Sequence, residues 1–319
     1  MKRVRLLVVV LTVLSAYNSV EAKRGLSADL RKGQKALAAG EYEEAFAEYT
    51  KAAADGNALA QFTVGLFYQN GWGRPAEPGT AYSWFEKAAL GGIPGAQHLV
   101  GDYLVAGVHC KADPAKAALW YEKAASLGHH VSLCSLAELY MTGTGVKKDP
   151  AKAIALCRQV AEKASLPGQV RLGRFFLEGD ESIRDYAKAH HWLEMAAGKN
   201  SPEAFYYLGV IYRDGLGKAQ TPEAARYLFE SAASQKHGPA YLPTGKLYLE
   251  APVDPNTGKL TAHDLAKAYL WLSAAARQAK DPKDRARVKD LLAKVNQIMP
   301  TSWKPELDAK VDAHFAVKP

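Results

Sequence analysis

The sequence predicts an all-α fold, a solenoid of stacked antiparallel helix pairs, on three observations. Six rows of 36 residues align without gaps, each row holds two blocks with apolar residues at helical spacing, and a Gly- or Pro-containing loop separates the blocks. A fixed period of this length marks an array whose units bury their apolar stripes only against their neighbours. The composition is globular: 319 residues, 48% hydrophobic and 23% charged, which excludes wholesale disorder and a collagen-like chain.

The chain opens on a segment that does not share the period. Lys2, Arg3 and Arg5 precede an apolar stretch from Leu6 to Ala16, and Val20-Glu21-Ala22 places small residues at −3 and −1. A charged start, a short apolar run and a small-residue site predict a secretory signal peptide over residues 1–22, cleaved after Ala22. Eleven helical residues reach about 16 Å, too short for a bilayer core of about 30 Å. No Cys follows the site and no later apolar run has membrane length, so the expectation is an exported protein of the periplasm with no membrane span after cleavage. The formal net charge is +8, and its Lys and Arg are scattered, with no dense basic run of the kind nucleic acid requires.

The array itself is written in columns. Gly65, Gly101, Ala137, Gly173, Gly209 and Gly245 fall in one; three residues on come Tyr68, Leu104, Tyr140, Phe176, Tyr212 and Tyr248. A later pair of columns reads Trp84, Trp120, Leu156, Trp192, Leu228 and then Phe85, Tyr121, Cys157, Leu193, Phe229. An Ala column runs from Ala53 through Ala89, Ala125, Ala161 and Ala197 to Ala233. A further copy, Trp271 to Ala276, follows Leu228 by 43 residues, which implies a seven-residue insertion within Ala251–Thr261. Small residues let crossing helices approach closely, and the aromatic columns fill the space on either side.

Each row reads as helix, loop, helix. Ala60–Gly71 has apolar residues at helical spacing and stops at Gly; GTGVKKDP (Gly143–Pro150) is a loop; Pro in the first turn then starts the second helix. Beyond the rows, Asp281–Met299 is charged and amphipathic, with Val288, Leu291, Leu292, Val295 and Ile298 at helical spacing, as a helix capping the last repeat must be. Ser302–Phe315 adds a short helix or strap.

The pattern A-x-x-x-L-G-x-x-Y-x-x-G-x-G-V-x-x-D-x-x-K-A-x-x-W-Y-x-K-A-A-x-x-G resembles the Sel-1-like repeat, a relative of the tetratricopeptide repeat. GTGVKKDPAKA in row three and PAKAALWYEKAASLG in row two are near its consensus, while row four has GDESIRDYAKA and row six lacks the Gly-x-Gly loop. The resemblance implies a right-handed superhelix, with a tetratricopeptide-like pair over 23–57, six Sel-1-like repeats over 58–280 and a cap and tail over 281–319. It also implies an adaptor, scaffold, regulator or inhibitor in place of an enzyme.

A search for chemistry points the same way. Gly-x-Ser-x-Gly, His-Glu-x-x-His, a Walker loop, Cys-x-x-Cys, Ser-x-x-Lys and Lys-Thr-Gly do not occur, so a cell-wall or β-lactam-binding enzyme is a remote alternative. His129-His130 and His190-His191 are adjacent, and neighbours on a helix point about 100° apart, which prevents chelation of one ion. No metal or cofactor is therefore expected. Glu41, Glu43 and Glu44 suit the first turn of a helix electrostatically.

Three cysteines occur. Cys157 stands in the aromatic core column and Cys134 in the column of Phe62, Val170 and Leu242, so both face the interior on opposing helices. Two readings stand, a Cys134–Cys157 bridge or two buried side chains serving as small apolar groups. Cys110, in a loop, is the most accessible.

Subtracting the core leaves a stripe on the first helix of each row, offset by three and four residues, that would line the concave face. It carries Asp102, Glu138, Arg171, Arg174, Tyr207, Asp214 and Lys246 among others, shifting from acidic in rows two and three to basic in row four and aromatic in row five. Trp72 stands in a loop column and reads either as an exposed anchor or as packing for the next loop. The expected partner is another protein, a toxin or effector or an envelope component. The expected role is that of an immunity protein neutralising a secreted, type VI-like toxin in the periplasm, with a regulator of a sensor kinase and a scaffold for an envelope assembly as rivals.

Overall fold

The computed structural model describes residues 28–316. The signal peptide expected over residues 1–22, with cleavage after Ala22, lies outside these residues. The fold is all-α, a solenoid of consecutive packed helix pairs, and the described residues contain no strand. The chain divides after Val160 into two compact units. The first holds α1 (Ala28–Ala39), α2 (Tyr42–Ala54), α3 (Ala58–Asn70), α4 (Pro78–Leu90), α5 (Pro94–Ala106), α6 (Pro114–Ser126), α7 (His130–Thr142) and, up to its last residue, α8 (Pro150–Ala161). The second holds α9 (Leu166–Glu178), α10 (Tyr186–Ala197), α11 (Pro202–Asp214), α12 (Pro222–Ser234), α13 (Tyr241–Leu249), α14 (Ala262–Gln278), α15 (Pro282–Ile298) and α16 (Lys304–Phe315).

The loop chemistry repeats with the period. The Asp113, Asp149 and Asp185 carboxylates accept the backbone N–H groups of Lys116, Lys152 and Lys188 at 2.9–3.0 Å, capping α6, α8 and α10. The same capping residues donate their own N–H to the carbonyls of Leu104, Tyr140 and Phe176 at 2.8–2.9 Å, pinning the start of each second helix to the aromatic column of the first. Row four keeps this bond although its loop differs. Gly179 is extended there, and a turn from Asp180 to Arg184 takes the place of the left-handed Gly that ends α7 at Gly143. The additional length of the last row is taken up by residues 250–261, where Asp254 and Lys259 close a turn.

Packing explains the columns. A Cβ placed on Gly65 would lie 2.5 Å from Phe85, on Gly173 2.6 Å from Leu193, and on Gly209 2.8 Å from Phe229. Each glycine therefore receives the residue twenty positions later, and that residue is fully buried in all three pairs. Row three has Ala137 in the glycine column and Cys157 at the twentieth position, both fully buried. A larger small residue is matched there by a smaller partner. Between rows, Gln61 donates to the Ala53 carbonyl at 3.2 Å, Gln97 to Ala89 at 3.2 Å and Gln169 to Ala161 at 3.4 Å, each adding a second donor to a carbonyl in the last turn of the preceding helix that already accepts from the turn after it.

At the C-terminal end, α15 and α16 both pack on α14. Tyr241, fully buried, stacks on Trp271 at 5.9 Å, hydrogen-bonds His314 at 2.9 Å and meets Phe315 edge-on. The half-buried Glu230 carboxylate ties the preceding helices together, accepting from Tyr248 at 2.5 Å, Lys267 at 2.6 Å and Trp271 at 3.3 Å. Burial pushes its carboxyl upward, but the Lys267, Tyr248 and Trp271 donors outweigh that and hold it below the usual range.

Candidate protein-binding face

The stripe is placed by the helical register of α3, α5, α7, α9, α11 and α13, the first helix of each row. Its columns diverge where the core columns repeat. In the first unit it is closed at the start, because Thr63 and Leu66 are buried on α3. Trp72 is half-buried, its ring edge-on to Phe67 at 5.5 Å, so it packs inward on its own helix. Asp102 on α5 is exposed and Glu138 on α7 half-buried. The Tyr121 hydroxyl donates to Asp102 at 2.7 Å, and His98 Nε2 lies 3.5 Å from the other carboxylate oxygen.

In the second unit, Arg171 and Arg174 on α9 are half-buried, and the Arg174 guanidinium lies 5.7 Å from the Phe175 ring centroid. Tyr207 of α11 is also half-buried. Burial first, and then Glu178 and Glu203, push its phenol up to about 12, while Arg174 acts in the opposite sense. Arg174 and Tyr207, singled out separately in the sequence, thus belong to one cluster. Asp214 is exposed and held by Arg213 through two hydrogen bonds of 2.6 Å, which keep its carboxyl below the ordinary range. Lys246 on α13 is half-buried and 3.5 Å from Glu250, one turn on.

The histidine pairs split as their spacing requires. His190 is buried with Nε2 3.1 Å from the Tyr212 hydroxyl and Nδ1 3.2 Å from Glu194, whereas His191 is exposed beside Trp192. His129 is half-buried and His130 exposed. Among the described residues no three His, Cys, Asp or Glu side chains converge on one point, and no helix is long and apolar enough to cross a membrane. Cys134 and Cys157 are buried, and Cys110 is half-buried with its Sγ 3.4 Å from the Tyr103 carbonyl.

One polar cluster escaped the reading of the sequence. Ser132, fully buried at the start of α7, has its Oγ 2.8 Å from His129 Nδ1 and 3.2 Å from His98 Nδ1. The signal was present in the columns: His98 stands where other rows carry Phe62, Cys134, Val170, Tyr206 and Leu242, and Ser132 where they carry Ala60, Ala96, Gly168, Ala204 and Ala240. Polar residues in adjoining rows at apolar positions must partner one another.

Comparison with known proteins follows the same register. The family model described as the Sel1 repeat matches residues 58–93, 94–129, 130–165, 166–201, 202–237 and 256–280. Among solved structures, a Sel1 repeat protein from Oxalobacter formigenes is 27% identical with a TM-score of 0.65, over 78% of this chain and 100% of that one. The protein c5321, a protective antigen of uropathogenic Escherichia coli with an SLR fold, is 25% identical with a TM-score of 0.55, over 84% of this chain and 57% of that one. No curated protein matches the chain.

Proposed function

The chain belongs to the Sel1 repeat family, and from that premise we propose that it binds another protein along the first-helix stripe and performs no chemistry of its own. One observation carries this reading. The glycine, alanine and aromatic columns repeat because packing consumes them, whereas one stripe column of the same helices runs Leu66, Asp102, Glu138, Arg174, Val210 and Lys246. Charge that varies in sign from row to row on a fixed framework suits recognition of one particular surface.

The narrower proposal is an immunity protein: exported by its leader, resident in the periplasm and neutralising a secreted, type VI-like toxin by occlusion. A leader-like start followed by helix pairs suffices for an inhibitor that works by covering a surface. Affinity purification of the exported chain, with cross-linking, tests both levels. The expected result is a toxic protein co-eluting and cross-links on α5, α7, α9, α11 and α13. Asp102→Lys and Lys246→Glu should each release it while leaving the helical circular dichroism unchanged. Cross-links confined to the second helices would overturn the stripe. A sensor kinase or an envelope assembly protein in place of a toxin would overturn the immunity role.

A further inference from the structure

Within the first unit a single chain of polar contacts runs from the stripe into the joint between two rows. The Tyr121 hydroxyl of α6 donates to Asp102 of α5 at 2.7 Å. His98, one turn before Asp102, places Nε2 3.5 Å from the carboxylate and Nδ1 3.2 Å from the Ser132 hydroxyl. Ser132 Oγ is in turn 2.8 Å from Nδ1 of His129, at the N-cap of α7. The partners assign the tautomers. A carboxylate beside Nε2 favours the proton there, so His98 Nδ1 accepts from the Ser132 hydroxyl, whose oxygen accepts from His129 Nδ1–H.

We infer that His98 and Ser132 are positioning residues that hold Asp102 as a preformed anionic contact, and that His129 at the far end of the chain makes this segment of the stripe sensitive to acid. The inference rests on the reading of the stripe as the contact face. One added proton is tolerated, because an imidazolium at His98 faces Asp102. A second is not. The His98 and His129 rings are 4.9 Å apart, His130 is the residue after His129, and the Ser132 hydroxyl between the two rings is fully buried. The groups facing His129 are thus His98 and, through it, Asp102 from α5, Tyr121 from α6, which lies against the His98 ring, and His130 and Ser132 from α7. Burial first, then His98 and His130, push the His129 imidazole down to about 4. The unfolded chain takes up that proton near pH 6.5, so the stabilising effect is complete above 6.5 and is lost as pH falls towards 4.

The repeat supplies substitutions that should keep the fold. His129→Ile installs the residue of the same column one row earlier, the buried Ile93, and Ser132→Ala installs that of Ala96. Imidazole proton–nitrogen spectra of the full chain at pH 8 are expected to show His98 protonated on Nε2 and His129 on Nδ1, and Ser132→Ala should turn His98 into a tautomer mixture. Between pH 8 and pH 5 the unfolding equilibrium of the wild type should shift by about tenfold more than that of His129→Ile, after allowing for the part of the ring that meets solvent. A His129 that titrates at the ordinary value, or a His129→Ile chain with unchanged pH dependence, overturns the inference. These readouts need no partner. If they hold while cross-links avoid α5 and α7, the stripe reading has failed and the polar chain has not.

Discussion

At the scale of single residues, the array is governed by size matching across one helix crossing. Gly65 with Phe85 and Gly209 with Phe229 join a residue without a side chain to a ring, and Gly173 accepts Leu193. Ala137 and Cys157, both fully buried, divide the crossing differently, with a methyl where the other rows have none and a smaller partner opposite it. Cys157→Leu alone should therefore overpack row three and cost about 1–3 kcal/mol. In an Ala137→Gly background the same change reproduces the Gly173–Leu193 pair and should recover most of that loss. Urea unfolding of the four chains in the double-mutant cycle measures the coupling; strictly additive values would show that the two side chains do not meet. A second residue-scale feature is the turn after each second helix. Gly92 and Gly128 adopt positive φ there in the first unit, but Ala164 and Lys236 do so in the second. Non-glycine residues at such φ cost roughly 1–2 kcal/mol, a strain that only the surrounding array sustains.

At the scale of elements, the ends decide whether a repeat stack is closed. The amphipathic pattern of Asp281–Met299 suggests the cap, and Val288 and Val295 of α15 are indeed buried. The larger apolar groups are sealed by α16, whose His314 and Phe315 pack on Tyr241 and whose Asp308 accepts from Tyr269 at 2.7 Å. Truncation after Pro300 should uncover much of Tyr241 and Trp271. At about 1.5–3 kcal/mol for each large side chain returned to water, stability should fall by about 3 kcal/mol or more. The emission of Trp271 should shift to the red in the native state. An unmoved emission maximum and unfolding midpoint would mean that α15 caps the stack alone.

At the scale of the whole molecule, His190 is buried and His129, His237 and His314 are half-buried. Burial pushes His129, His190, His237 and His314 below the ordinary value, with Glu194 and Glu203 partly opposing it at His190 and His237. Each contributes stability that is complete above pH 6.5 and declines as the solution is acidified, because the unfolded chain binds protons that the folded chain refuses. The lowered carboxylates Asp113, Asp185 and Glu230 act in a lower window, below their unfolded values of 3.8 and 4.5. Calorimetry should accordingly find the unfolding temperature lower at pH 5 than at pH 8; a constant value across that range would show that these rings are solvated in the native state.

The period by itself determined the all-α class, the alternation of first and second helices, the Pro in the first turn of the second helices and the interior placement of Cys134 and Cys157. Each of these repeats, and repetition converts one local rule into a column. The stripe residues Asp102, Arg174 and Tyr207 were legible as the complement of those columns. Two things depended on contacts between rows, the association of Arg174 with Tyr207 and the Tyr121–Asp102–His98–Ser132–His129 chain, while the inward turn of Trp72 onto Phe67 depended on how the loop folds back within its own row. A column states what a position tolerates in its own helix. Which neighbour a polar side chain meets is set by the distance of closest approach between rows, and that distance exists only once the rows are stacked.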